Sequence, residues 1–359
     1  MVTRTDIAVI GAGLAGAACA RALARAGFRV TVFEAQGVPA SGASGNPIAI
    51  LHPLVSSDHN LASQWVEVGM KTTLRWLSEL GGGNPKGSLG QSCGVAQLNR
   101  DASDLVHWTA DGAWIRPTQF VKACLSEAIA CGAQVIFNQE ITALETTSER
   151  VSLGLKNQSF DAAVVCTAQS TELLLPQAQL MLNALHGTVT SYSISQSESL
   201  PCVICADGYA TPVIDGQMVV GASYERGDDT HDDTHDKSSN LDRLRVICEP
   251  LAALCAASPS QDRRSTRSAS LDRMPHVGRV LDANQPLKPS ISQIHQMPRH
   301  PRLWVLGGLG SRGFSSAPLG AEIIVAQMRG VVPPVGPRLL AAVDPVRFAL
   351  RRHQRRSPC

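Results

Sequence analysis

The sequence predicts an α/β fold in which a doubly wound parallel sheet is joined to a second, largely antiparallel α+β domain. An apolar strand at residues 6–10 runs into a glycine-rich turn and then into an alanine-rich helix that extends to Ala26. A second strand, glycine-rich loop and helix follow at residues 303–329. Residues 185–225 are mostly strand-patterned and lack the earlier alternation of strands and helices, which indicates a separate antiparallel domain.

The N-terminal segment is a complete Rossmann-like βαβ unit of the kind that binds dinucleotides. Its turn reads Gly11-Ala12-Gly13-Leu14-Ala15-Gly16, and Glu34 stands at the end of the second strand. Gly11 permits the tight turn, Gly13 lets the backbone approach a pyrophosphate, and Gly16 lets the helix pack close to the strand. The helix N-terminus offers N–H groups to the phosphates. Glu34 is placed to accept hydrogen bonds from a ribose, and its charge disfavours the 2′-phosphate of NADP.

The remaining elements follow from apolar periodicity and from glycine breaks. Residues 61–80 read as an amphipathic helix that ends at a run of three glycines. Further helices are predicted at residues 118–131, 241–257 and 317–329. Strands are predicted at residues 134–137 and 141–144, and a hairpin at residues 151–155 and 160–165.

Composition and charge exclude several classes of protein. The net charge of +2 is too small to indicate a nucleic-acid binder by itself, and the basic run 351–356 is either a solvated terminus or a local phosphate-binding face. The uncharged stretch 35–57 contains several Gly, Pro and Ser residues, so no membrane segment is expected. Ten scattered cysteines without an export signal fit reduced thiols in the cytoplasm.

Two stretches have the residue types of a metal site, and neither predicts one. Cys202-Val203-Ile204-Cys205 has the C-x-x-C spacing, but no second pair or histidine set completes a zinc site, so core packing is expected. Residues 228–236 alternate Asp, Thr and His, and we expect an exposed acidic loop there.

Several loops have unusual sequences that indicate a particular family. Residues 37–47 form a long loop of small residues, suited to wrapping closely around a large cofactor. The other segments are His52-Pro53-Leu54, Cys166-Thr167-Ala168, residues 221–227, Arg267, residues 272–278, residues 309–319 and residues 339–348. Together they resemble FAD-dependent amine oxidases of the glycine oxidase and D-amino acid oxidase type. Within that superfamily they resemble the oxidoreductase half of the MnmC family of bifunctional tRNA-modifying enzymes.

The resemblance implies a D-amino acid oxidase type of architecture with FAD as the cofactor. It divides the chain into a discontinuous FAD-binding domain at residues 1–80, 115–170 and 266–359, and a substrate domain at residues 81–114 and 171–265. The cofactor contacts that it implies are Gly11, Gly13, Leu14, Ala15, Gly16, Glu34, Ala35, Ala43, Ser44, Asn46, Ile141, Thr167, Ala168, Gly308, Gly310, Ser311, Arg312 and Gly313.

The resemblance also implies an activity on tRNA. The family oxidatively removes the carboxymethyl group from 5-carboxymethylaminomethyl-(2-thio)uridine at the wobble position, leaving 5-aminomethyl-(2-thio)uridine. Molecular oxygen is the expected electron acceptor. The family carries its methyltransferase before the flavin half, and only five residues precede the first strand here. Any methylation is therefore expected from a separate methyltransferase.

Four residues are candidates for contact with the substrate. Arg312 either anchors the glycine-like carboxylate of the substrate or braces the flavin loop, because a guanidinium suits both tasks. Arg267 is a second candidate for the anchor, with a structural ion pair to Asp272 as the alternative. His186 either contacts flavin or substrate or is an interior histidine, and Tyr224 is expected to cap the pocket.

Two residues depart from the family pattern, and two other functions stay open. His186 stands where the family usually has Arg, and His52 stands where relatives carry Tyr, which leaves the fine specificity open. One alternative function is an FAD-dependent oxidase of a small amino acid such as glycine or sarcosine. The other is an RNA-binding protein that holds flavin without turnover.

Overall fold

The computed structural model describes residues 5–81, 89–100, 102–147, 149–154, 158–223, 225–226 and 233–356. The α-helices of this part are α1 (Leu14–Arg25), α2 (Leu61–Leu80), α3 (Pro117–Ala130), α4 (Thr171–Leu174), α5 (Asp233–Ile247), α6 (Glu249–Ala256), α7 (Ala317–Arg329), α8 (Pro337–Val343) and α9 (Arg347–Arg356). The strands are β1 (Asp6–Ile10), β2 (Arg29–Phe33), β3 (Ala49–Leu51), β4 (Gly90–Ser92), β5 (Val95–Leu98), β6 (Leu105–Thr109), β7 (Ala113–Ile115), β8 (Gln134–Ile136), β9 (Glu145–Thr146), β10 (Val151–Ser152), β11 (Ser159–Phe160), β12 (Ala162–Val165), β13 (Leu182–Ser193), β14 (Val203–Cys205), β15 (Tyr209–Ala210), β16 (Gln217–Gly221), β17 (Glu225–Arg226), β18 (Ser260–Ser270), β19 (His276–Leu281) and β20 (Arg299–Gly307).

A six-stranded sheet in the order β19-β20-β12-β1-β2-β8 forms the first layer of the fold. All neighbours in it are parallel except the edge strand β19, which is antiparallel to β20. The four residues of β12 are all buried, as a parallel strand covered on both faces requires. Helices α1, α2, α3 and α7 contribute to the core on one face. The carboxyl ends of the parallel strands therefore meet at one edge, where α/β sheets bind ligands.

The second large sheet has the order β17-β13-β16-β15-β14-β5-β6, and β18 also pairs with β13. Its pairs are antiparallel apart from β14 with β5. One face packs against α5 and α6, and the other face builds a separate apolar cluster that includes Ile48 and Trp114. The predicted fold class, a Rossmann-like domain with a largely antiparallel second domain, is confirmed.

The limits of the two domains stay a prediction. The proposed boundary at residue 266 falls inside β18, whose eleven residues (260–270) pair with β13 along their whole length. The boundary at residue 115 falls at the end of β7, which pairs with β3 and β4 in a small three-stranded sheet.

Most predicted helices are confirmed, and three local predictions differ from the structure. The bounds of α2 and α7 agree with the sequence, but residues 241–257 divide into α5 and α6 on either side of Cys248. Pro250 lies in the first turn of α6, where its missing N–H costs nothing but prevents one continuous helix. Residues 141–144 form no strand. The segment 160–165 is not one hairpin arm, because β11 joins β9 and β10 while β12 joins the six-stranded sheet.

Neither a metal site nor a membrane span is found in the described part of the chain. No described helix is long and apolar enough to cross a bilayer. Described residues contain no cluster of three or more His, Cys, Asp or Glu side chains able to hold a metal ion. Cys202 and Cys205 are buried, and burial raises the pKa of the Cys205 thiol to about 12. Residues 228–232 of the acidic stretch lie outside the described residues, whereas residues 233–236 begin α5 instead of continuing the expected loop.

A buried arginine ties the C-terminal helix to the rest of the fold. Arg347 is 3% exposed and donates from Nε and Nη2 to the two carboxylate oxygens of Asp272, at 2.9 and 2.8 Å. It also donates to the carbonyls of Met274 and Pro275, at 2.6 and 3.2 Å. The prediction that Asp272 pairs with Arg267 is wrong, because Arg347 and Arg351 occupy this carboxylate instead.

The charge state of this cluster follows from its surroundings. Burial alone raises the pKa of the Asp272 carboxyl, but the hydrogen bonds and charge of Arg347 outweigh it and lower that pKa to about 2. His276 lies 2.9 Å from Nη1 of Arg347 through its Nδ1. Burial, followed by the charge of Arg347, lowers the pKa of His276 well below its usual value, so this imidazole is neutral and accepts the hydrogen bond.

We predict that Arg347→Ala lowers the free energy of unfolding by roughly 3 kcal/mol at pH 7, because it leaves a half-buried carboxylate without its main partner. The folded-state pKa of Asp272 lies below its unfolded value. The stabilisation is therefore complete above about pH 4 and is lost as the pH falls toward 2. Urea unfolding at several pH values measures both effects. Arg355→Ala, on the exposed side of the same helix, is the control and should change little; equal losses in both variants would contradict the prediction.

Candidate active site

A cavity of about 810 Å³ lies at the carboxyl ends of the parallel strands, between the two large sheets. This volume is in the upper part of the range for small-molecule and cofactor sites. Its lining includes every residue predicted to contact the cofactor except Gly16. The residues predicted from the sequence therefore make up most of one wall of the cavity. This wall is formed by the six-stranded sheet and its loops.

The glycine-rich turn after β1 forms the floor of the cavity. Gly11 has φ +99°, and a Cβ atom there would lie 2.7 Å from the carbonyl oxygen of Cys166. A Cβ atom on Gly16 would lie 1.7 Å from the carbonyl oxygen of Gly11. Gly16 thus permits the close packing of α1 on the turn, and its predicted contact with the cofactor stays a prediction.

The loop of small residues packs directly on this turn. The backbone N–H of Leu14, in the first turn of α1, donates to Ser44 Oγ at 2.9 Å. Arg263 of β18 donates to the carbonyl of Gly42 at 2.9 Å, and Ser265 Oγ lies 3.2 Å from Asn46 Oδ1. Strand β18 therefore holds the loop in place above the helix N-terminus.

Glu34 connects the turn to the second strand. Its Oε2 accepts from the backbone N–H of Ala12 at 2.7 Å, and its Oε1 accepts from that of Gln36 at 3.0 Å. Because Glu34 also lines the cavity, one carboxylate both orders the glycine-rich turn and faces the space where a ribose would lie.

The far end of the cavity contains cationic and neutral polar groups. Arg312 lies in the loop after β20, and Arg267, only 8% exposed, lies on β18. Gly187 on β13 allows the Arg267 guanidinium to approach, since a Cβ atom there would lie 2.5 Å from Arg267 Nη1. Burial, followed by the charge of Arg312, lowers the pKa of His52 to about 4. The cavity therefore presents two permanent cations beside a neutral imidazole at pH 7.

The structure describes only one of the other two predicted substrate residues, and that residue is not among those that line the cavity. His186 lies on β13, where its Nδ1 is 2.9 Å from Thr266 Oγ1, and Thr266 rather than His186 is among the lining residues. Tyr224 lies outside the described residues.

Sequence reasoning missed the side chains that the antiparallel sheet adds to the cavity. These include Gln97 of β5, Cys205 of β14, Tyr209 of β15 and Ala222 after β16. Gln97 and Tyr209 belong to no motif, whereas Cys205 belongs to the C-x-x-C segment expected in the core and Ala222 to the segment 221–227. Gln97 and Cys205, which are 108 residues apart, meet through the pairing of β5 with β14. His52 is also in the lining, and its Pro-Leu neighbours were the signal that marked it.

The comparison with known families decides the class of the protein. Residues 6–109 and 97–327 match the family described as FAD dependent oxidoreductase. The chain belongs to this family. The resemblance, the class of enzyme and the FAD cofactor predicted from the sequence are thereby confirmed.

Individual relatives agree with this assignment. The tRNA 5-methylaminomethyl-2-thiouridine biosynthesis bifunctional protein MnmC of Aeromonas hydrophila subsp. hydrophila is 30% identical, over 97% of this chain and 59% of that protein. The protein of the same name from Pseudomonas putida (strain F1) is 31% identical, over 96% of this chain and 60% of its own length. The chain thus spans about 60% of the curated relatives that it matches.

Solved structures show the same fold at low sequence identity. Glycine oxidase from Geobacillus kaustophilus has a TM-score of 0.73 at 17% identity, covering 95% of this chain and 98% of its own. Iminodiacetate oxidase from Chelativorans sp. BNC1 has a TM-score of 0.75 at 18% identity, covering 94% and 98% of the two chains.

The residues of the cavity fit FAD. Gly13 is the N-cap of α1 and makes no side-chain cap. The N–H of Leu14 donates to Ser44, and the next N–H groups of the first turn suit phosphate oxygens. Gly308 and Gly310 have φ values of +66° and +55°, and their backbone forms the opposite wall. We propose that the glycine-rich turn and Ser44 hold the pyrophosphate, Glu34 the ribose, and residues 308–313 the flavin ring.

We predict that Glu34→Ala lowers the affinity for FAD about tenfold or more, because hydrogen bonds to a charged acceptor contribute roughly 1.5–3 kcal/mol. Titration of the apoprotein, followed by flavin fluorescence, measures the change. Glu34→Gln is the matched variant, since it keeps one acceptor oxygen and should lose less affinity. Unchanged FAD affinity in the alanine variant would contradict the ribose role.

Proposed function

We propose that the protein catalyses the FAD-dependent removal of the carboxymethyl group from 5-carboxymethylaminomethyl-(2-thio)uridine at the tRNA wobble position, giving 5-aminomethyl-(2-thio)uridine. One observation carries this proposal. About 30% identity extends over nearly the whole chain to proteins named for the biosynthesis of 5-methylaminomethyl-2-thiouridine in tRNA. The geometry of the cavity supports it, because its polar end suits the group to be removed.

The reactive group of this substrate is a glycine attached through its nitrogen. Bound FAD supplies the acceptor for a hydride from the methylene carbon between the amine and the carboxylate. Loss of that hydride and of the N–H proton leaves a C=N bond on the substrate. Addition of water to this bond releases glyoxylate and leaves the aminomethyl group on the uridine.

Arg312 is the residue proposed to hold the carboxylate. Its guanidinium is permanently charged and can bind both carboxylate oxygens, which fixes the methylene carbon relative to the flavin. Arg267 adds a second cation to the lining of the same cavity. Two cations and a water-poor site disfavour the ammonium form of the substrate amine, and only the neutral amine can release the hydride.

Three further features belong to this proposal. Molecular oxygen is the electron acceptor, and a separate methyltransferase acts on the aminomethyl product. The reaction takes place in the cytoplasm, with no membrane partner. All cysteines among the described residues are free thiols, which supports a reducing compartment.

A second candidate is the oxidation of a small amino acid such as glycine or sarcosine. It is favoured by the same two arginines, because a free amino acid presents an equivalent carboxylate. The alternative of a flavin-holding RNA-binding protein without turnover is set aside, since the family is one of oxidoreductases.

Purified holoenzyme and tRNA carrying the carboxymethylaminomethyl group test the function directly. Nucleoside mass spectrometry should detect conversion of the modified uridine to its aminomethyl form, with one glyoxylate released per conversion. Parallel assays with free glycine and sarcosine follow hydrogen peroxide. Rapid oxidation of a free amino acid, with no conversion of the tRNA, would overturn the proposal in favour of the second candidate.

We predict that Arg312→Lys lowers kcat/KM for the modified tRNA about tenfold to a hundredfold while FAD remains bound. The lysine keeps the charge but cannot make the bidentate contact. The transition-state stabilisation that is lost is about that of one hydrogen bond to a charged group. Steady-state kinetics and the flavin absorbance of the purified variant provide both readouts. Arg267→Lys is the comparison, and a smaller effect there identifies Arg312 as the main anchor. Loss of flavin from the Arg312 variant would instead indicate that this residue braces the flavin loop.

A further inference from the structure

We propose that α9 and the loop beside it bind the phosphate backbone of the tRNA. The surface consists of Arg273, Arg351, Arg352 and Arg355 and is called the α9 face. This inference rests on the proposed function, because it names where the backbone of that substrate lies. In this proposal the basic run of α9 binds phosphate and is not merely a solvated segment.

The four arginines lie close together on the outside of the fold. Arg351 and Arg355 are one helical turn apart on α9 and therefore share a side of the helix. Arg351 donates to Asp272 Oδ2 at 3.1 Å, and Arg273 is the next residue of that loop. All four arginines are exposed.

The carboxylate that contacts this surface is already paired with a buried arginine. Asp272 is the one carboxylate that an arginine of the α9 face contacts among the described residues, and buried Arg347 binds both of its oxygens. Arg352 contacts the neutral Gln179 side chain at 3.0 Å. The cluster is therefore strongly cationic in a chain whose net charge is only +2, so the whole-chain charge conceals it.

The arginines are carried by ordered backbone rather than by a loose terminus. The Arg347 clamp fixes α9 to the loop 271–275, and Val346 and Ala349 bury the same helix in a small apolar cluster with Leu281 and Met297. Arg273 has φ +61°, and its N–H donates to the carbonyl of Ser270 at 3.1 Å. The backbone that carries these guanidinium groups is therefore ordered before RNA binds.

The α9 face is close to the cavity wall. A Cβ atom on Gly308, which lines the cavity, would lie 3.0 Å from the His276 ring. On its other side that ring contacts Arg347 Nη1, the residue at which α9 begins. One side chain therefore separates the cavity wall from the helix. Phosphates of nucleotides that flank the inserted uridine are the anionic groups suited to planar, bidentate guanidinium donors at this distance.

A double variant, Arg273→Gln with Arg355→Gln, tests the α9 face without disturbing the clamp. Both side chains are exposed, and neither forms an ion pair with a described residue that the substitution would break. The control is Lys71→Gln with Lys122→Gln, which removes two exposed charges from α2 and α3. Helix α3 lies at the β8 edge of the six-stranded sheet, whereas α9 packs on β19 at the opposite edge.

Fluorescence anisotropy of labelled, unmodified tRNA with each holoenzyme over a potassium chloride series gives the salt dependence of binding. The double variant should lower the slope of log K against log salt by roughly 1.4–1.8, since each phosphate contact contributes roughly 0.7–0.9. Its KM for modified tRNA should rise several-fold, with kcat and FAD content unchanged. The control variant should match the wild type in all of these measurements.

The outcomes separate this inference from the proposed function. If the wild type converts modified tRNA and the double variant has the slope and KM of the control, the α9 face is wrong and the function stands. A fall in kcat with unchanged KM would also overturn the α9 face. If the wild type fails to convert modified tRNA, the proposed function fails. The anisotropy slopes alone then decide whether this surface binds RNA.

Discussion

The close packing of α1 against the glycine-rich turn is the constraint on which the rest of the cavity depends. No side chain fits at Gly16, because the carbonyl of Gly11 already occupies the position of a Cβ atom. This contact places the N-terminus of α1 beside Ser44 and directs the N–H of Ala12 to Glu34. A larger residue at Gly16 would displace the turn and with it the contacts of Ser44 and Glu34, although Gly16 itself does not line the cavity.

The sequence predicts the parts of the structure that are local and leaves out those that depend on distant pairing. The turn after β1, Glu34 and the loop 308–313 can be picked out from the sequence as parts of the cavity wall, because each lies in a short run of residues with a recognisable pattern. Gln97 and Tyr209 cannot, because they reach the cavity through strand pairings that no local pattern reveals. Asp272 was given the wrong arginine for the same reason, since its partner Arg347 is 75 residues away.

Binding and chemistry are separated in space in the arrangement proposed here. The far end of the cavity has two buried or half-buried arginines beside a neutral His52, which suits a single carboxylate. The α9 face has exposed arginines whose charges add up for a polyanion but distinguish no particular base. In this arrangement a small amino acid would use only the first of these sites, whereas a tRNA that carries a glycine-like group would use both.

The order of strands in the central sheet has a consequence for biosynthesis. Strand β12 lies between β1, from the beginning of the chain, and β20, about 300 residues later. The loop that closes the cavity follows β20, so a nascent chain cannot complete the cofactor site before residues 308–313 have been translated. A translation product that stops before β20 would expose the apolar edge of β12 to chaperones and proteases.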